Sequence, residues 1–173
     1  MSDIENMRGD RDMNLLEKKI DACLRWILAN DKEQRDEIAE EAAALLCESE
    51  IAAHHLAAED CVTKLLRELG VSQSVLGFKY LVYATMLALD DWNYIETVTK
   101  GLYPKVAEQF DTTGSRVERA MRNAIERAFE TGDRDVQVKV FGGGISMHSG
   151  KVTNSEFVAG CAREVQQRMR KGE

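Results

Sequence analysis

The stretch LYPKVAEQFDTTGSRVERAMRNAIERAFE, residues 102–130, decides the fold. Pro104 suits the first turn of a helix, where its missing N–H would have no partner, and Val106, Ala107 and Phe110 mark one apolar face of that short helix. Asp111-Thr112-Thr113-Gly114 breaks it. A second helix is predicted from Ser115 or just before, with Thr113 or Ser115 as its cap and Ser115-x-x-Glu118 at capping-box spacing. A short helix, a polar turn containing glycine and a longer helix form the helix-turn-helix pattern.

Stepping 100° per residue places Val117, Ala120, Met121, Ala124 and Ala128 on one face of the second helix, with Arg119, Asn123, Glu126 and Glu130 opposite. Arg119 sits at the centre of the outer face, flanked by Arg116 on one side and by Glu118 and Arg122 on the other. The planar fork of an arginine matches guanine O6 and N7, a glutamate accepts from cytosine N4, and the opening turns of such a helix reach base edges. Thr112 and Thr113 stand where hydroxyls and backbone N–H groups hold a phosphate. Arginines opposite a buried face are ordinarily a solvated surface. Three of them at three-residue spacing beside a capped start direct the reading to duplex DNA.

Outward from this stretch the chain reads as helix. Its 173 residues are 44% hydrophobic and 31% charged with a single proline, which suits one mostly helical domain with an appendage and disfavours an all-β fold. Leu16, Ile20, Cys23, Leu24 and Ile27 follow helical spacing between Met13 and Leu28, and Asn30-Asp31 ends that helix and caps the next. From Asp31 to about Ala58, a seam of Ile38, Ala42, Leu45, Ser49, Ala52 and Leu56 suits packing on another helix, either within its own hairpin or against a partner. Val62, Leu65, Leu66 and Leu69 predict a short separate helix ended by Gly70. Further helices are predicted over Ser74–Leu89 and Trp92–Gly101. Between Asp135 and Met147, Val136, Val138 and Val140 alternate before three glycines, which suggests a short strand or hairpin arm. Thr153-x-x-Glu156 predicts a capping box for a last helix burying Phe157, Val158, Cys161 and Val165.

Charge divides the chain unevenly. Residues 1–60 hold 16 acidic and 7 basic side chains, a net −9, whereas residues 61–173 carry a net +2. That asymmetry separates an acidic helical pair from the rest. No apolar run reaches the length of a spanning helix and no basic-then-apolar leader opens the chain, so no membrane role and a cytoplasmic location are expected. The four cysteines lack metal-ligand spacing, His54 and His55 point about 100° apart, and Gly150-Lys151-Val152 lacks the hydroxyl residue of a phosphate loop. No nucleophile–base pair is evident. Neither a metal, a cofactor nor enzymatic activity is expected.

Ser115-Arg116-Val117-Glu118-Arg119-Ala120-Met121-Arg122-Asn123-Ala124-Ile125-Glu126, the preceding Leu102-Tyr103-Pro104, Gly77-Phe78-Lys79-Tyr80-Leu81 and Thr153-Asn154-Ser155-Glu156-Phe157 resemble the DNA-binding effector domain of the master sporulation response regulator of endospore-forming bacteria. The likeness extends from about Val62 to Arg170. It implies an all-helical domain with its recognition helix in the major groove, and a transcription factor whose members pair head-to-tail on adjacent sites. Carried over residue by residue, Arg116, Glu118 and Arg119 match base-reading positions and Arg122 a position near the backbone. Gly114 departs from a favoured Pro, and Asn123 replaces a His. The family's effector domain usually follows an α/β phosphoacceptor receiver, which 60 mostly helical residues cannot form.

The resulting expectation is an all-α multi-helix domain containing a helix-turn-helix, residues 61–173, preceded by an N-terminal helical pair, residues 1–60, with an oligomerisation, partner or regulatory role. Its partner is double-stranded DNA, bound as a homodimer or head-to-tail pair. Arg116, Glu118 and Arg119 contact bases, while Thr112, Thr113, Arg122, Asn123 and Lys151 contact the backbone or its flanks. The alternative is a non-enzymatic interaction protein that binds or sequesters another regulator through the acidic helices.

Overall fold

The structure is a computed structural model that describes residues 14–29, 31–142 and 152–172. Eight α-helices and one π-helical turn are found among these residues, and no strand. They are α1 (Leu15–Leu28), α2 (Lys32–Glu68), α3 (Leu76–Asp90), α4 (Asn93–Glu96), the π turn (Val98–Leu102), α5 (Tyr103–Gln109), α6 (Gly114–Thr131), α7 (Arg134–Phe141) and α8 (Asn154–Lys171). The all-α expectation holds. Two compact units divide inside α2, residues 1–56 and 57–173.

In the first unit, Asn14 caps α1 through a capping box with Glu17. Asp31 accepts from the Gln34 N–H at 2.8 Å at the start of α2. Arg35 donates to the Ala29 carbonyl beyond the end of α1, and Arg25 bridges Asp21 and Glu41, both at 2.7 Å. The apolar contact is small: Ala22, Ala29 and Ile38 are buried, with Ala42 and Leu45 packed beside them. The sequence seam is therefore covered at its Ile38 end, whereas Ala52 and Leu56 are exposed.

The separate helix expected from Val62 is instead the last part of the 37-residue α2. Glu59-Asp60-Cys61 contains no glycine or proline to interrupt the backbone ladder, so the helix runs through. It stops at Gly70, whose φ is 90°. The Gly70 N–H donates to the Arg67 carbonyl and the Val71 N–H to that of Leu66, both at 2.9 Å, the paired bonds of a Schellman end. Leu65, Leu66 and Leu69 are fully buried.

The core of the second unit lies between this last part of α2, α3, α5, α6 and α8, around Leu81, Val106, Met121 and Phe157. α3 and α6 pack closely. A Cβ on Gly77 would overlap the Ala120 carbonyl oxygen and lie 2.7 Å from the Ala124 Cβ, so α3 meets α6 backbone to backbone. The single helix expected over Trp92–Gly101 is broken at Thr97, whose φ and ψ are −115° and 40°, and continues as the π turn. Thr97 donates its hydroxyl to the Asn93 carbonyl at 2.9 Å, and Ile95 and Val98 are half-buried against the core.

The strand suggested by Val136, Val138 and Val140 is corrected to helix α7 over Arg134–Phe141; residues 143–147 lie outside the described residues. Asp133 caps α7 by accepting from the Asp135 N–H at 2.9 Å. The buried side repeats at helical rather than alternating spacing: Val136, Gln137, Val140 and Phe141 face inward and Val138 is exposed. Gln137 decides the matter. Its buried amide donates to the Ala128 carbonyl at 2.8 Å and to that of Leu69 at 3.4 Å, serving the closing turns of α6 and α2 together. Gln137→Leu should therefore cost about 1–3 kcal/mol in urea unfolding by removing its bonds to both buried carbonyls, of which that of Ala128 keeps the Gly132 N–H at 2.7 Å, whereas Val138→Gln should stay within about 0.5 kcal/mol. A strand would give the opposite order.

Candidate nucleic-acid interface

Helix α5, residues 110–113 and α6 form a helix-turn-helix. Phe110 closes α5 and packs edge-on against Tyr80 and Tyr83, with ring centroids 5.0 and 5.8 Å apart. Asp111 takes the left-handed conformation, φ 47°, and the Thr112 N–H returns to the Ala107 carbonyl at 3.0 Å. Helix α6 starts at Gly114. Thr113 has extended N-cap backbone geometry, but its side chain makes no capping hydrogen bond.

The capping box expected from Ser115 and Glu118 is not formed. Ser115 already lies inside the first turn, and the Glu118 carboxylate accepts from Arg122 at 3.2 Å. Tertiary packing compensates: Val117, Met121 and Ile125 are essentially fully buried. Each such side chain contributes about 1.5–3 kcal/mol, against roughly 1 kcal/mol for a cap.

Arg116, Arg119, Arg122 and Asn123 are exposed, and Glu118 is half-exposed, all in the first three turns of α6. Thr112 is half-buried and Thr113 exposed in the turn immediately before. Lys151 lies outside the described residues. The Glu118–Arg122 pair has both side chains about half exposed, so its carboxylate and guanidinium exchange partners at little cost.

A buried polar link unforeseen from the sequence sets the opening of α6. Asn154, 3% exposed at the start of α8, donates from Nδ2 to the Glu118 carbonyl oxygen at 3.0 Å and to the Tyr103 Oη at 3.1 Å. One amide thus ties α5, α6 and α8 together. Burial raises the Tyr103 phenol above its ordinary range, and the Asn154 hydrogen bond opposes that shift. The only sequence signal was a polar residue directly after a cap, which reads as surface.

The other residues of Thr153–Phe157 each have a separate task. Thr153 and Glu156 form the expected capping box, Ser155 donates to the Ile95 carbonyl at 3.4 Å, and Phe157 is buried and stacked on Phe141. The backbone N–H and hydroxyl of Thr153, at 2.9 and 2.8 Å, hold the Glu156 carboxyl below the usual glutamate range.

A lowered folded-state pKa means that the Glu156 contribution is complete above the unfolded value of about 4.3 and is lost as pH falls through the depressed value. Glu156→Gln should lower the Tm slightly at neutral pH, where the ionised carboxylate contributes, and flatten the acid limb of Tm against pH in this window. A second outcome concerns Gly114, which occupies N1 after an extended residue, the position suited to proline. Gly114→Pro should raise stability by about 0.4–1 kcal/mol in urea unfolding by restricting the unfolded chain.

Among the described residues, no cluster of three or more His, Cys, Asp or Glu could hold a metal ion, and no helix is long and apolar enough to cross a membrane. The family described as Sporulation initiation factor Spo0A C terminal has a model that matches residues 62–165, more than half of the chain. This span holds the end of α2, the Gly77 contact, the whole helix-turn-helix and the Asn154 link. The chain therefore belongs to the Spo0A C-terminal family, a family of DNA-binding sporulation regulator domains rather than of enzymes.

Proposed function

We propose that this protein regulates transcription by reading specific duplex sites with α6 in the major groove. Arg116 and Arg119 take the O6 and N7 edges of guanines, and Glu118 accepts from a cytosine N4 group. Arg122, Asn123, Thr112, Thr113 and Lys151 hold phosphates or flank the site, fixing the helix in register without reading sequence. The protein acts in the cytoplasm and pairs on adjacent sites, either as a homodimer or head-to-tail. Its acidic segment, residues 1–60, supplies pairing, partner binding or control.

The observation that carries this reading is the exposed arginine set on a helix whose inner face is buried and whose first turns are tied by Asn154. A surface of mobile arginines would bind DNA without preference; a fixed helix gives each fork a defined place. Residues 61–173 are nearly neutral, so attraction to phosphate depends on this local cluster rather than on overall charge.

Selection of bound duplexes from a random pool, using the whole chain at moderate salt, should return one preferred motif. Arg119→Ala should weaken that site by about 1–3 kcal/mol and relax discrimination at one guanine. Arg122→Ala should weaken all duplexes more evenly and reduce the slope of log affinity against log salt by about one. No enriched motif would overturn the reading, and equal loss of discrimination in both variants would reverse the two roles.

A further inference from the structure

Helix α6 presents two unlike flanks on either side of its outermost residue, Arg119. At 100° per residue Arg122 lies about 60° to one side of Arg119, whereas Arg116, Asn123 and Arg127 lie about 60°, 40° and 80° to the other. These three form a row about three turns long, and all are exposed. The row runs beside the start of α3, because Ala120 and Ala124, against which Gly77 packs, lie on the same side of α6. Between the two helices is a cleft of about 630 Å³ lined by Leu76, Gly77, Asn123 and Arg127, with Glu126 and Glu130 toward the end of α6.

We infer that Arg127 holds a phosphate of one DNA strand across the groove from the strand that Arg122 holds. The inference rests on the duplex reading proposed above for α6. A helix seated in the major groove has a sugar–phosphate wall on each side, so its placement is fixed only when both walls are held. Arg122 supplies a charge for one wall. On the other, Asn123 offers a neutral amide and Arg116 is engaged with a base, which leaves Arg127 as the charge. Its flank is open to a strand, because Gly77 has no side chain and the first turn of α3 carries no acid. Leu76, 65% exposed, gives the cleft an apolar wall suited to the stem of an arginine and to a deoxyribose.

The two acids of the cleft fit the same placement. Glu126 and Glu130 lie within about 20° of the line through Arg119, about two and three turns further along α6. Acids on the outermost line keep these later turns off the groove floor, so the turns meet the duplex only at its rim, where the phosphates lie. Arg127 lies about 100° round the axis from Glu126, toward the rim on the α3 side. Helical side chains lean toward the helix start, which carries the Arg127 guanidinium alongside Asn123 and away from Glu130. At about 80° from the outermost line it is too far round to reach a base edge, and its planar fork suits a phosphate.

The test uses the whole chain with its preferred duplex and an unrelated duplex of equal length. Arg127→Gln should weaken both by the same factor and reduce the slope of log affinity against log salt by about one, and Arg127→Lys, which keeps the charge, should restore that slope. The side chain is exposed, so the Tm of both variants should match that of the wild type. Single neutral methylphosphonates placed in turn along each strand then locate the contact. At one position the neutral group should abolish the difference between wild type and Arg127→Gln, and that position should lie on the strand opposite the one that does so for Arg122→Ala. A wild-type chain that selects a motif, with a slope that falls on Arg122→Ala but not on Arg127→Gln, would overturn this proposal and leave the reading of α6 standing. So would mapping of both arginines to one strand, or a loss on Arg127→Gln confined to one base pair of the motif. A wild-type chain that selects no motif would overturn that reading and this inference with it.

Discussion

The contact between α3 and α6 is the constraint on which the rest of the second unit depends. With no side chain at Gly77, the opening of α3 lies against the backbone of Ala120 and beside the Ala124 methyl, and any larger residue would push the helices apart. Ridges of ordinary side chains hold packed helices about 8–10 Å apart; a glycine facing alanines permits the near end of that range. That closeness lets Val117, Met121 and Ile125 reach the common core while Arg116, Arg119 and Arg122 stay outside. An interface that reads a groove needs its helix fixed, and here the fixing begins at backbone contact.

Polar links at helix ends complete the placement, and those that hold α6 come from distant residues rather than from a local side-chain cap. Neither α3 nor α6 has a side-chain N-cap, yet the opening of α6 is held by Asn154 and its closing turn by Gln137. Each amide joins three elements at once. A buried donor without a partner is costly, so such a residue is satisfied in one relative arrangement of its helices and penalises the others. The Gln137 amide oxygen has no protein partner among the described residues, while both of its N–H bonds serve helix termini. Specificity of arrangement, more than net stabilisation, is what these residues add.

The two units bury their apolar residues differently. The second gathers leucines, valines and aromatics from five elements, while the first leaves the large apolar side chains of α1 exposed and relies on alanines and one isoleucine. Both carry amphipathic helices, so the difference lies in how many elements surround each helix. A lone hairpin offers one neighbour per helix; a packed domain offers several.

The sequence by itself determined the helix content, the helix-turn-helix over residues 102–130, the glycine end at Gly70, the capping box at Thr153 and Glu156, and the family likeness. These are legible because caps, glycine ends and helical spacing act within a few residues. It also placed the arginines on the side of α6 opposite the buried face, since a helix has a fixed angular step. The continuity of α2 through Cys61 was open to a local reading, since no glycine or proline interrupts it there, and three features were decided only by tertiary structure: the break at Thr97, the helical state of residues 134–141, and the role of Asn154. Alternating valines at 136, 138 and 140 fit a strand locally, but Gln137 finds its two carbonyls 9 and 68 residues away only if the segment is helical. Local spacing cannot report such partners, because they are brought together by the fold itself.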